Sequence, residues 1–223
     1  MQYLIFLFVL AIPFVVNAKS IINNNGIEIS EEEYNDFIKI YSEGYIMTMT
    51  DRQYQKAKTL DFSNIVKSSK YIMTTYDERL HTTLEKEITE DEAEKMVEKI
   101  EEEKLISQAN GTRSVYSSGS YYQTLIKRLD LALTSSSISH YVTLTLTWLA
   151  LPQYRSFDVI GFRGFDFSFV DGSQYGHQVY VKDYEYFSID YSPTGTNIKK
   201  FSNGFGISMN LVDDQIQGLQ NII

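Results

Sequence analysis

The chain has 223 residues, no Cys, and 29 Asp and Glu against 20 Lys and Arg. The resulting net charge of −9 argues against nucleic acid and against electrostatic attachment to anionic lipid, since both need a basic surface. With no disulfide available, the fold must be held by its hydrophobic core, and the length is enough for one.

Leu4 to Val16 is an apolar run interrupted by Pro13 and ending in Val16-Asn17-Ala18 before Lys19. It is shorter than the ~20 residues of a spanning helix. Apolar or small residues three and one positions before the break suit a signal peptidase. The expectation is a signal peptide over 1–18 cut between Ala18 and Lys19, a secreted mature chain, and no stable membrane span after cleavage. No Cys follows the run, which excludes a thioether lipid anchor, and a secreted chain without disulfides leans toward a bacterial exported protein. Asn110-Gly111-Thr112 is a formal glycosylation sequon.

The negative charge is uneven. Residues 19–104 hold 20 acidic against 12 basic side chains, and residues 105–223 hold 9 against 8. The excess reads as solvated helix faces. After a polar leader, Asn23-Asn24-Asn25-Gly26, expected to be disordered, Ser30 and Glu33 predict a capping box with Ile29 and Tyr34 as its staple. Tyr34, Phe37, Ile38 and Tyr41 continue at helical spacing, with Gly44 as the left-handed stop. Thr50 and Gln53 predict a second box stapled by Met49 and Tyr54, and a short helix to about residue 58 or 60. Together these elements predict a helical hairpin segment over 19–84, with an uncertain strand in 70–83.

Thr89 and Glu92 predict a third box, stapled by Ile88 and Ala93. Ala93, Met96, Val97 and Ile100 form a narrow apolar stripe, so 85–112 reads as an acidic helical spacer. From residue 113 the period becomes 2. Leu125, Leu129, Leu131 and Leu133 share one parity with Lys127. Val142, Leu144, Leu146 and Trp148 share a face opposite Thr143, Thr145 and Thr147, and residues 134–137 form the intervening loop. Phe165, Phe167 and Phe169, then 178–189, then Phe205 to Leu211 give further runs, broken at Asp171-Gly172 and at residues 191–195. The predicted fold class is α+β, a small helical N-terminal segment followed by an antiparallel β-sandwich of jelly-roll type over 113–223. Val212, Ile216, Leu219 and Ile223 have helical spacing. The two terminal isoleucines leave two readings open, a chain that ends here or one that continues in nature; in the second case the sandwich is short of strands and has an open edge.

Ser30-Glu31-Glu32-Glu33-Tyr34, Gly44-Tyr45-Ile46, Met49-Thr50 with Tyr54, and Ser156-Phe157-Asp158-Val159-Ile160-Gly161 resemble segments of a group of exported proteins from low-GC Gram-positive bacteria. The resemblance spans both halves. It implies a secreted bacterial protein with a helical N-terminal part and a β-rich C-terminal part that extends further in those relatives. The group carries no assigned activity, so no functional residue transfers from it.

His81, His140 and His177 have no metal-ligand spacing, and His140 reads as a half-buried strand residue. No G-x-S-x-G elbow and no phosphate loop occur, and Asp171 lacks the pattern of a calcium loop. No cofactor or metal is therefore expected. Asp158, Asp166, Asp183, Glu185 and Asp190 are the carboxylates a glycosidase pair would draw on, but no spacing makes that pairing specific and surface or turn roles are the favoured reading. The β half is unusually aromatic. Trp148 lies on the apolar parity and reads as core. Tyr180, Tyr184, Tyr186 and Tyr191 occupy both parities, so some face outward and are the best candidates for a contact surface, the alternative being simple sheet packing. The reading is a non-catalytic binding or surface-interaction protein whose partner is a glycan or a surface protein. The alternative is a secreted polysaccharide hydrolase using paired carboxylates.

Overall fold

The computed structural model describes residues 20–77, 79–109, 122–136, 139–151, 157–164, 169–170, 172–201, 203–212 and 216–223. The expected signal peptide with its Ala18–Lys19 cleavage site, the formal sequon and Asp166 lie outside these residues. Among the described residues, no helix is long and apolar enough to cross a membrane.

The chain opens with a small hairpin, β1 (Ser20–Ile22) and β2 (Glu28–Ser30), followed by α1 (Glu31–Phe37), α2 (Glu43–Thr48) and α3 (Asp51–Ala57). Strands β3 (Asp61–Asp77) and β4 (Thr82–Ile88) precede the long helix α4 (Glu90–Ala109). The rest is strand: β5 (Tyr122–Ser135), β6 (His140–Trp148), β7 (Phe157–Arg163), β8 (Gly176–Lys182), β9 (Glu185–Tyr191), β10 (Ile198–Phe201), β11 (Gly204–Asn210) and β12 (Gly218–Ile222).

The α+β, mostly antiparallel β character is as the hydrophobic periods predict. One sheet has seven strands in the order β4-β3-β5-β6-β12-β8-β9, and a second has three, β10-β11-β7. Register within the large sheet pairs Leu129 with Leu146, Leu131 with Leu144, and Lys127 with Trp148. The leucine face packs on the three-stranded sheet through Ile160, Ile207 and Met209, with Ile223 completing the cluster. On the opposite face, Val179 and Ile222 are buried by Phe37, Tyr45, Ile46 and Met49 of the helical segment. Helix α4 lies on that same face further along, where Ala93 and Ile100 bury Ile126 and Ile88.

Several expectations need correction. The division at residues 112 and 113 does not divide the sheet, because β3 pairs with β5 from Val66–Leu133 to Asp77–Tyr122. The β-branched and aromatic content of 61–77 extends the strand beyond the 70–83 of the sequence reading. The spacer over 85–112 is a strand up to Ile88 and then a helix packed on the sheet. The helical hairpin is three short helices, because Ser42 caps a new helix at Tyr45. Gly44 is therefore not a stop but lies inside α2. A Cβ there would come within 2.8 Å of Val179 and 2.9 Å of Tyr186, so glycine lets α2 approach β8 and β9.

The asparagine leader is ordered. Asn23 Nδ2 donates to the carbonyls of Ile46 (3.2 Å) and Met49 (2.8 Å), and Asn25 Nδ2 donates to that of Thr48 (2.9 Å). These carbonyls are orphans at the end of α2, and short amide side chains satisfy them. Of the four residues with helical spacing, Leu219 lies in β12, which is inserted between β6 and β8, because backbone pairing with a strand on each side outweighs the helical period. All three capping boxes form: Ser30 with Glu33, Thr50 with Gln53, and Thr89 with Glu92.

Candidate functional site

The hairpin β8–β9 carries most of the unusual chemistry. Its base lies against α2 and α3 and its tip points into solvent.

At the base, His177 and Asp190 are cross-strand partners on the face that meets the helices. His177 has no exposed surface, and its Nδ1 lies 2.6 Å from Asp190 Oδ1. That bond from His177 is the largest influence on Asp190 and holds its carboxyl below the usual range. On the other side of the ring, Nε2 lies 2.9 Å from Thr48 Oγ1, and the Thr48 hydroxyl also donates to Gly44 O at 2.7 Å. Gln53 Nε2 reaches Asp190 at 3.4 Å.

The ring of Tyr45 meets His177 edge-on, and the Tyr45 hydroxyl lies 2.6 Å from that of Tyr175. Burial pushes both phenols up, so they stay neutral. Lys56 Nζ sits 4.7 Å from the Tyr141 ring centre and 5.2 Å from that of Tyr175. Burial lowers its pKa, and the adjacent Arg52 lowers it further.

Thr48, His177 and Asp190 stand in the hydroxyl–imidazole–carboxylate order of a nucleophilic triad. The direction is the reverse of what catalysis needs. Asp190 faces solvent, while the Thr48 hydroxyl is buried inside α2 and committed to its own helix. Thr48 is buried, and its hydroxyl is already engaged by Gly44 O and His177 Nε2. The chain of bonds is a bolt that fastens α2 to the sheet. Among the described residues, no cluster of three or more His, Asp and Glu side chains is placed to hold a metal ion.

The tip is built differently. Lys182 pairs with Glu185, leaving Asp183 and Tyr184 as a two-residue turn with φ of 53° and 66°. Such turns favour Asn-Gly because both positions need the left-handed region. A bulky side chain there costs about 1 kcal/mol or more. Tyr184 nevertheless occupies it and is 91% exposed. The turn forms one edge of a shallow cleft of about 630 Å³, lined by Tyr184, Glu185 and Tyr186 on one side and by Asn24, Asn25, Met47 and Thr48 on the other. Asn24 Nδ2 fixes the walls together through Tyr186 O at 2.8 Å.

The four tyrosines of the sequence reading therefore do not share one face. Tyr184 and Tyr186 line this cleft. Tyr186 also packs on the helical core and directs its hydroxyl at Glu43, 3.4 Å away. Tyr180 stacks on Phe187 at 5.4 Å on the opposite face. Tyr191 is buried in the core between the two sheets, with its hydroxyl accepting from Asn210 N.

The remaining candidates are also placed. Trp148 is buried, and its Nε1 donates to Asp158 at 3.1 Å. Asp158 also accepts from Asn221 and lies 3.7 Å from Lys127 Nζ. Asp158 and Asp190 are on opposite faces of the large sheet, so they do not face each other across a groove. Asp183 and Glu185 flank Tyr184 in the tip. His140 is exposed at the start of β6 rather than half-buried, because the strand ends project beyond the packed layers. His81 sits in the β3–β4 turn near the Tyr76 hydroxyl, 3.1 Å away.

A smaller cleft of about 200 Å³ lies over β5 and β6, where Tyr41 and Ser42 face Lys67, Thr143 and Thr145. Its Arg128 is bound to Asp130 at 2.8 Å. The threonine face of β6 thus borders a second layer. No protein family, curated protein or solved structure matches the chain.

The His177–Asp190 bolt went unread in the sequence although both residues were visible. The missing step was the turn, because Asp-Tyr is not a turn-forming pair by composition.

Proposed function

We propose that this is an exported bacterial protein with a β-sandwich core that binds glycan without catalysing a reaction on it, and that the cleft beneath Tyr184 is its contact site. The observation carrying this reading is the tyrosine at the tip of β8–β9. It is held in a conformation that disfavours it, and almost fully exposed. Local strain of this kind persists where something other than stability selects the residue. An exposed aromatic ring beside asparagine amides and a glutamate suits a sugar, whose ring faces stack on aromatics while its hydroxyls take hydrogen bonds. The packing of the leucine face of the large sheet on the three-stranded sheet supports the sandwich description.

The test is a glycan array probed with the protein and with Tyr184→Ala. The expected result is selective binding that the variant loses while keeping its circular dichroism spectrum. Binding that survives in Tyr184→Ala would place the contact elsewhere, and no binding by a folded wild type would remove the glycan reading.

A further inference from the structure

The outward face of the three-stranded sheet has a composition unlike the rest of the molecule. Alternation along β7 turns Phe157, Val159, Gly161 and Arg163 away from the core, while Ile160 and Phe162 point in. Opposite them on the central strand β11 stand Asn210, Ser208, Gly206 and Gly204. Strand β10 adds Lys199 beside Gly206 and Phe201 beside Gly204. Phe157, Val159 and Phe201 are 66%, 70% and 66% exposed. No carboxylate among the described residues of these strands shares this face, although the chain carries −9 overall. Arg163 and Lys199 take part in none of the ion pairs among the described residues.

The three glycines make a floor of bare backbone between the two phenylalanines. At Gly204 the fold itself requires glycine, since a Cβ would lie 2.6 Å from Phe162 O. At Gly206 it does not, since a Cβ there would meet nothing closer than Ile160 O at 3.8 Å. Packing therefore does not require glycine at 206, and its absent side chain leaves the outer surface bare. Six residue steps along β7 span roughly 20 Å from Phe157 to Arg163, long enough for several sugar rings.

We propose that this face binds an acidic polysaccharide, one that bears carboxylates on its sugar rings. Each unit of such a polymer offers a flat ring for a phenyl group or the glycine floor, and a single anionic group for Lys199 or Arg163. Other anionic partners fit less well. A second copy in two-fold contact would set Lys199 and Arg163 against themselves with no acid to meet them. Two cations give only about 1 kcal/mol each toward an anionic membrane that repels the rest of the protein, and they neutralise too few phosphates for nucleic acid. The surface lies on the three-stranded sheet and does not depend on the Tyr184 cleft.

Affinity electrophoresis of the full protein through gels containing polygalacturonate, alginate or hyaluronan, with methyl-esterified polygalacturonate as the uncharged match, tests it. Retardation by at least one acidic polymer but not by the ester is expected. Lys199→Glu with Arg163→Glu, and separately Gly206→Val, should each weaken it by about tenfold, the scale of one lost charged or ring contact, in proteins with wild-type circular dichroism. Retardation by none of the polymers, equal retardation by the ester, or variants that bind like wild type would overturn the proposal. So would sedimentation with phosphatidylserine vesicles in place of retardation. Tyr184→Ala separates the two surfaces: it should keep the acidic polymer and lose the array ligand. Loss of both would assign all binding to the cleft and overturn this proposal alone.

Discussion

The two ends of one hairpin follow opposite rules. At the base of β8–β9, polar groups are buried and joined: His177 to Asp190 and Thr48, and Tyr45 to Tyr175. At the tip, just past the end of β8, the backbone is strained and an aromatic ring stands in water. A buried imidazole without partners would be costly, so the base is built for cohesion. The tip gives up stability that a glycine would recover. The same two strands thus anchor the helical layer and present a residue that the fold does not need.

Three substitutions sharpen that contrast. The largest effect belongs to the base. His177→Ala removes a buried ring and leaves Thr48 and Asp190 without it, at a cost of about 3 kcal/mol in urea unfolding. A loss under about 1 kcal/mol would mean that the bolt does not hold α2 to the sheet.

Asp190→Asn comes next. Because Asp190 is half exposed, the cost at neutral pH is about 1 kcal/mol or less. Its pH dependence is more diagnostic. The carboxyl is held below its ordinary value of 3.8 by His177. Its contribution is therefore full above 3.8 and fades as pH falls through the lower folded-state value. The Tm gap between wild type and variant should close in acid. A gap that stays constant from neutral pH down to strong acid would show that the His177 bond is not what depresses the carboxyl.

The smallest effect is at Tyr186→Phe, which removes only a hydroxyl 3.4 Å from Glu43. A change within ~0.5 kcal/mol is expected. A larger one would mean that Tyr186 works through its hydroxyl rather than through the ring packed on the helices.

The sequence made the large sheet legible where one face is apolar and the other polar. Leu144, Leu146 and Trp148 against the threonines of β6 define a face, and the leucines of β5 complete it. Capping was legible because Ser30, Thr50 and Thr89 each carry their partner three residues on. What stayed hidden depended on pairing at a distance. Leu219 falls in a helical period, and only the gap between β6 and β8 makes its segment a strand. Asn23 looks like a disordered leader until the end of α2 supplies carbonyls.

The base and tip of β8–β9 were hidden by one residue. Had the turn been set at Asp183 and Tyr184, the register alone would have put His177 opposite Asp190 and separated Tyr180 from Tyr186. Tyrosine is the residue that turn chemistry argues against, so the unusual residue at the tip concealed the pairing at the base.

The most direct measurement is therefore on Tyr184→Gly, with stability and glycan-array binding read on the same sample. Relief of the left-handed backbone should raise stability by about 1 kcal/mol, while array binding is lost. A glycine variant that is more stable and binds unchanged would contradict a functional role for the exposed ring. One that is less stable would show that Tyr184 belongs to the fold after all.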